Sequence, residues 1–216
     1  MTRLILASKS PRRFELLSMT GLSFEVQDAH VDENRIVEEI LRTFVPSPYS
    51  SLPSMYQTAE KICCALSSAK ASAVLQKVSQ EDPASGPDLL VLGSDTIVVT
   101  EEEILGKPKD EEDARRMLRL LSGKAHRVYT GVSIQSVKDD HVFSSFADVV
   151  FHDLDDLQME LIDTYIASGS PMDKAGAYGI QDAGSLLIDS IVGDYYAVVG
   201  LPVAQVYRKL REIIRE

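Results

Sequence analysis

No tryptophan occurs in the 216 residues, and there are only two cysteines and four histidines. The cysteines, Cys63 and Cys64, are consecutive. Neighbouring residues rarely reach disulfide geometry, which excludes a disulfide-stapled scaffold, fits a reducing compartment and leaves the pair as small core-filling thiols. His30, His126, His141 and His152 lack the i, i+4 spacing of a helical zinc site and lie far from the cysteines in sequence, so no zinc site is expected. No apolar run approaches the ~20 residues that span a bilayer. The opening Met1 to Ser8 has a charge and too short an apolar stretch for a signal peptide, so a cytoplasmic protein with no membrane partner is expected. Positive charge is scarce too: 22 Lys and Arg against 33 Asp and Glu leave a net charge of −11, which repels a polyphosphate backbone and argues against a nucleic-acid partner. Neither the Gly-x-Gly-x-x-Gly order nor a Walker A sequence is present.

With 44% hydrophobic and 25% charged residues, the chain can bury a sizeable core, and one globular domain over residues 1–216 is expected. Leu4-Ile5-Leu6-Ala7 reads as a buried strand running into a helix with Ser10 as N-cap, Pro11 at its first position, Leu16, Leu17 and Met19 on its apolar face and Gly21 at its end. Phe24 and Val26 suggest a strand, and Val37, Ile40 and Leu41 a further helix. Pro46, Pro48, Ser50, Ser51, Pro53 and Ser54 mark a surface insertion at about residues 43–56. A helix from about Thr58 to Val78 carries Ala59, Ile62, Cys63, Leu66, Ala73 and Val74 on one stripe, followed by a polar loop from Ser79 to Pro87 with Pro83 and Gly86. Leu89 to Leu92 and Ile97 to Val99 form an apolar run interrupted only by Gly93-Ser94-Asp95-Thr96.

Asp110 caps an amphipathic helix that Gly123 ends, and strands follow near Val128 to Ser136 and Val142 to Phe151. The next helix, from about Asp155 to Ser168, turns Leu157, Leu161, Ile162 and Tyr165 inward. Leu186 to Val192, a turn at Gly193-Asp194 and Tyr195 to Val199 read as a β-hairpin. A last helix after Pro202 has Val203, Val206, Tyr207, Leu210 and Ile214 inward, with Arg208, Lys209, Arg211 and Arg215 facing water.

Four places could carry chemistry. Arg12 and Arg13 fall in the first turn of a helix whose free amides already make that end positive; with Ser8 and Ser10 they suit a phosphate. Two solvated arginines balanced by Glu15 are the other reading. Lys70 lies inside an apolar stripe, where its ammonium must either meet an anion or snorkel to solvent. Lys107, in Gly106-Lys107-Pro108, adds a further cation, so the set can form a local pocket for an oligophosphate. Asp95 is an ionisable group in a segment patterned for the interior, either a functional carboxylate or a satisfied structural one. Glu33, with Asp32 beside it, offers a second carboxylate, and a pair facing phosphate-binding cations supplies oxygen ligands for Mg²⁺ and a base for water. Ser168 to Gln181 is a glycine-rich loop in which Gln181 has the donor and acceptor needed to read a nucleobase edge.

Leu6 to Leu17 with its Ala7-Ser8-Lys9-Ser10-Pro11-Arg12-Arg13 core, Gly93-Ser94-Asp95-Thr96, Gly106-Lys107-Pro108 and Asp173-Lys174-Ala175-Gly176-Ala177-Tyr178-Gly179-Ile180-Gln181 together resemble the Maf family of nucleoside triphosphate pyrophosphatases. The motifs run in the family's order along nearly the whole chain and end with Gly200-Leu201-Pro202. The resemblance implies an α/β fold of the inosine-triphosphatase-like type, elongated, with a mixed twisted sheet, flanking helices and a cleft between two lobes. It implies hydrolysis of a nucleoside triphosphate between the α and β phosphates with Mg²⁺ or Mn²⁺. Asp95 matches the family's catalytic base, and Glu33, Lys70 and Lys107 match residues lining the site; Asp32 takes the place of Glu33 after a shift of one. Glu33 and Asp95 would hold the metal, and Ser8, Ser10, Arg12, Arg13, Thr96, Asp173, Lys174 and Gln181 the substrate.

Arg12, Thr96 and Gln181 match the specificity positions of a branch preferring dTTP and UTP, whereas the sibling branch associated with 7-methyl-GTP differs at Thr96 and Gln181. The implied role is housecleaning of the nucleotide pool, and a homodimer is expected by analogy. The rival is a non-hydrolysing nucleotide-binding regulator of cell division and septum formation. Asp95 argues against it, because a pure binder gains nothing from an anion beside a triphosphate. A partner-binding scaffold built on the Pro46 to Ser54 loop is a third reading. That loop departs from the shorter family pattern.

Overall fold

The computed structural model describes residues 2–82 and 88–215, the side chain of residue 215 excepted. Strand β1 (Arg3–Leu6) leads into α1 (Pro11–Ser18), where Ser10 Oγ accepts from the Arg13 amide as expected of an N-cap. After the short β2 (Glu25–Val26) come two helices, α2 (Glu33–Thr43) and the long α3 (Ser54–Glu81). Strand β3 (Leu89–Val99), the two-residue β4 (Ile104–Leu105) and α4 (Glu111–Leu121) follow. The remainder is β5 (Ala125–Gln135), β6 (Asp140–Phe151), α5 (Asp156–Ala167), three short 3-10 turns between 170 and 187, β7 (Ile188–Gly193), α6 (Tyr195–Val199) and α7 (Val203–Arg215).

The seven strands form one mixed sheet in the order β2-β1-β3-β5-β6-β7, with β4 on β3. Strand β1 runs parallel to β2 and β3, and the other pairings are antiparallel. Alternation along β3 divides the core. Ile97 and Val99 pack with Ile62, Cys63 and Leu66 of α3, while Val98 faces Met117, Leu118 and Leu121 of α4 and Ile162 of α5. Leu90 and Leu92 meet Leu16, Leu17, Val206 and Leu210 from α1 and α7.

Two glycines let α3 lie unusually close to the sheet. A Cβ at Gly93 would press into the Ser67 carbonyl and approach the Ala71 nitrogen at 2.8 Å; one at Gly131 would press into the Cys63 carbonyl. In the β3–β5 register Gly131 stands directly opposite Asp95. The sheet under this stretch of α3 therefore has almost no side-chain thickness.

Several expectations change. The stretch Gly93 to Thr96 does not interrupt the apolar run: β3 is continuous through it, and Asp95 is a mid-strand residue. No hairpin forms at 186–199, because Tyr195–Val199 is helical: Asp194 Oδ1 accepts from the Tyr196 amide, and Gly200 at φ 126° ends the helix. A local cap thus overrides the strand preference of Tyr and Val. Helix α3 is longer than its apolar stripe at both ends; Ser79 to Glu81 are helical, and residues 83–87 of the expected loop lie outside the described residues. Met19, Leu157, Tyr207 and Ile214 are exposed instead of inward; Met19 lies past the end of α1, as its C-cap. Arg215's side chain lies outside the described set.

The connection between α2 and α3 holds the Pro and Ser insertion, with Tyr49 97% exposed. Gln57 pins it by accepting from the Ser47 amide and donating to the Ser47 and Leu52 carbonyls. Among the described residues no helix is long and apolar enough to cross a membrane, and the two cysteines are free thiols.

Candidate active site

Strand β3 outruns its parallel neighbour. Strand β1 pairs with residues 89–92 and β4 with 98–99, so residues 93–97 have a strand partner on one edge alone. This gap lies beyond the carboxyl end of β1, where the chain order switches from β2 on one side to β3 on the other, the place where open α/β sheets bind ligands. A cavity of about 1020 Å³ fills it. Of the residues singled out from sequence, Ser10, Arg12, Arg13, Glu33, Lys70, Asp95, Thr96, Lys107, Asp173, Lys174 and Gln181 all line the cavity. Ser8 does not, but its hydroxyl accepts from Arg13 Nη1 at 3.4 Å and from the Ser10 amide at 3.2 Å.

On the α3 side, Asp95 projects on the same face as Gly93, toward the helix that the glycine lets approach. Its Oδ1 accepts from Lys70 Nζ at 2.6 Å, and Glu33 Oε1 lies 2.7 Å from the same ammonium. Lys70 therefore meets anions and does not snorkel; its side chain is 13% exposed. Glu33, at the first position of α2, and not Asp32 is the residue brought to Lys70, because Asp32 caps that helix by accepting from the Arg35 amide at 3.1 Å.

On the α1 side, Arg13 is no solvated surface charge. Its Nε donates to the Gly200 carbonyl at 2.9 Å and Nη2 to Thr96 Oγ1 at 3.1 Å. Burial lowers its pKa, an effect that the nearby charge of Asp95 opposes. No carboxylate lies within ion-pair distance of Arg13 among the described residues. Of its five N–H groups, two on the outer nitrogens remain uncommitted, and a buried cation so placed suits an anion. Thr130 donates its one hydroxyl proton to the Ala197 carbonyl at 2.6 Å, so in the 2.8 Å contact with Thr130 the proton comes from Thr96. A relay thus runs from Arg13 through Thr96 and Thr130 to α6.

The remaining cations differ in freedom. Arg12 Nη1 lies 3.9 Å from Asp173 across the cavity. Lys107 is exposed and lines the same cavity, with no carboxylate partner among the described residues. Lys174 is engaged within its own loop by the Ser170 carbonyl, Asp173 at 2.7 Å and Asp182 at 3.4 Å. Gln181 is exposed at the cavity wall, its amide unbonded among the described residues.

Sequence reasoning missed Ser94, which donates to the Gly200 carbonyl at 3.2 Å, as well as Thr130 and the Gly200 carbonyl itself. Ser94 precedes Asp95, and Gly200 opens the Gly200-Leu201-Pro202 motif, so both carried a signal without a visible partner. A hard divalent cation takes oxygen ligands, and Glu33 with Asp95 supplies two carboxylates at one point. Among the described residues no group of three or more His, Cys, Asp or Glu is assembled to hold a metal, so ligands from a phosphate chain would have to complete such a site.

A family model described as Maf-like protein matches residues 3–213. A dTTP/UTP pyrophosphatase of Bacillus cereus (strain B4264) is 43% identical over 212 residues, covering 98% of this chain and 96% of that protein. A dTTP/UTP pyrophosphatase of Bacillus thuringiensis subsp. konkukian (strain 97-27) shows the same identity over the same shares. The motifs found in sequence, the mixed sheet that gathers them round one cavity and these relatives agree: the chain belongs to the Maf-like protein family.

Proposed function

We propose that this protein hydrolyses nucleoside triphosphates between the α and β phosphates, releasing a monophosphate and pyrophosphate, with dTTP and UTP as preferred substrates. The reading rests above all on one observation: Arg13, Lys70 and Lys107 converge on a cavity that also presents Asp95 and Glu33, in a chain of net charge −11. Local cations inside an acidic molecule select a compact polyanion over a long one.

In this reading Arg13, Lys107 and Arg12 grip the triphosphate and orient its α phosphorus. Asp95 accepts a proton from water as the water oxygen bonds to that phosphorus. The bond from the α phosphorus to the bridging oxygen breaks, and that oxygen leaves with pyrophosphate. Fixed cations facing the charge that develops there are the main source of acceleration. Glu33 and Asp95 would hold Mg²⁺ or Mn²⁺, which supplies charge neutralisation on the phosphate oxygens when bound. Ser8 and Ser10 shape the amide-rich turn before α1, and Asp173 holds Arg12 across the cavity until substrate arrives. Gln181 offers its free amide to the O4 and N3–H edge of uracil or thymine, and Thr96 lines the same cavity. Free thiols at Cys63 and Cys64 suit a reducing cytoplasm, where such substrates are found.

Pyrophosphate release from dTTP, UTP, CTP, GTP and 7-methyl-GTP, with and without Mg²⁺ or Mn²⁺, tests the reading, with Asp95→Asn as control. Release from dTTP and UTP that falls ~10³-fold in the variant is the expected result. Tight binding without turnover would instead make the protein a nucleotide-binding regulator.

A further inference from the structure

Gln181 is exposed and lies between two of the 3-10 turns, outside helix and strand, yet a residue that reads a base must be held still before the base arrives. The chain on either side of it is fastened to one buried side chain. Tyr165 is 3% exposed and packed in the core with Ile162, Ile166 and Phe151, so its ring is anchored and its hydroxyl is presented to the loop. That oxygen accepts from the Gly179 amide at 3.0 Å and donates its proton to Asp182 Oδ1 at 2.8 Å. Gly179, two places before Gln181, and Asp182, directly after it, are therefore joined through a single atom.

Asp182 extends the frame. Its Oδ1 also accepts from the Gly184 amide at 2.9 Å, and its Oδ2 accepts from the Ser170 hydroxyl at 2.8 Å, with Lys174 Nζ 3.4 Å away. The packing leaves no slack: a Cβ at Gly184 would sit 2.7 Å from the Gly179 carbonyl and 3.0 Å from Tyr165 Cζ. A Cβ at Gly179 would sit 2.7 Å from Lys174 Cε and 2.8 Å from Asp182 Oδ2. Gln181 is left as the one polar side chain of Gly179–Asp182 that the frame does not use.

We propose that Tyr165 and Asp182 are positioning residues for base recognition, fixing the backbone on both sides of Gln181 so that its amide meets the pyrimidine edge. Neither side chain need touch substrate. The inference rests on the base-reading role proposed above for Gln181, and its test separates the two.

Steady-state kinetics with UTP and CTP are measured for the full chain, Tyr165→Phe, Asp182→Asn, Gln181→Ala and the Tyr165→Phe/Gln181→Ala double variant, each with its melting midpoint. Tyr165→Phe, which removes both hydrogen bonds of the hydroxyl, is expected to raise the KM for UTP roughly 10-fold. It should leave kcat within about twofold and lower the UTP-over-CTP ratio toward that of Gln181→Ala. In the double variant the tyrosine change should add nothing to the glutamine change. Asp182→Asn keeps the shape and is expected to give the same KM pattern, so it carries the test if Tyr165→Phe fails to fold. Full additivity in the double variant, an effect on kcat in place of KM, or an unchanged KM would overturn the proposal. A Gln181→Ala protein with wild-type KM and wild-type UTP-over-CTP ratio would instead overturn the base-reading role beneath it.

Discussion

Lys70 Nζ lies 2.6 Å from Asp95 Oδ1 and, at 2.7 Å, also touches Glu33 Oε1, so one ammonium is the counter-charge of both carboxylates assigned to a divalent ion. Such an ion needs about six oxygen ligands, more than this pair supplies. The nucleotide-free protein should therefore bind Mn²⁺ weakly, the ion arriving together with the triphosphate. Lys70→Met removes the competing cation and should tighten nucleotide-free Mn²⁺ binding ~10-fold, about 1.4 kcal/mol, as read by electron paramagnetic resonance, while slowing turnover. Weaker binding in the variant would mean that Lys70 helps to build the metal site.

Arg13 serves the Gly200 carbonyl, Thr96 and Ser8 with one planar fork, a geometry that an ammonium cannot reproduce. Arg13→Lys keeps the charge and loses the geometry. A fall in kcat/KM for UTP of roughly 100-fold, about 2.7 kcal/mol, is expected. Unchanged kcat/KM would reduce Arg13 to a scaffold residue.

Gly93→Ala tests the close approach of α3. The new methyl would strike the Ser67 carbonyl and the Ala71 nitrogen, both backbone, so neither can rotate away. Urea unfolding should show a loss of about 3 kcal/mol. Activity should fall further than that loss explains, because Lys70 rides on the displaced turn.

His126 is fully buried against Phe151 and Tyr178. Its Nε2 is 2.8 Å from the Tyr178 hydroxyl and its Nδ1 has no partner among the described residues. Burial lowers its pKa from 6.5 to about 3. Between those values the unfolded chain binds a proton that the folded one refuses, so stability falls as pH drops below 6.5. The slope is ~1.4 kcal/mol per pH unit for this group. Urea midpoints measured from pH 7 to pH 5 should decline more steeply for the wild type than for His126→Gln. Parallel curves would place the proton on folded His126.

The parts of this molecule that depend on local chemistry were legible in its sequence. Ser10 and Asp110 cap the helices that follow them, as their sequence positions indicate, because a capping oxygen needs only the next turn to act; Asp32 and Asp155 also prove to be caps, a role not read for them in sequence. Lys70 in its apolar stripe and Asp95 in its apolar run were visible as charges out of place. What could not be read was their meeting, which depends on Gly93 and Gly131 thinning the sheet beneath α3. The Tyr195 to Val199 segment reads as a strand by composition and becomes α6 because Asp194 and Gly200 bound it. The Tyr165–Asp182 contact joins side chains seventeen residues apart, across a loop whose path no periodicity describes.

The division of labour within the cavity has a consequence for how such a molecule changes. Asp95, Lys70 and Thr96 stand on a strand and a helix locked together at Gly93, with Arg13 bonded to the same strand, so nearly any substitution there is paid for in stability. Gln181 sits on a framed loop, its side chain exposed and without a hydrogen bond among the described residues. In the proposed reading, substrate preference can therefore drift at Gln181 more freely than at Thr96, which shares the locked strand with Asp95, so lineages descended from such a chain can part in diet long before they part in chemistry.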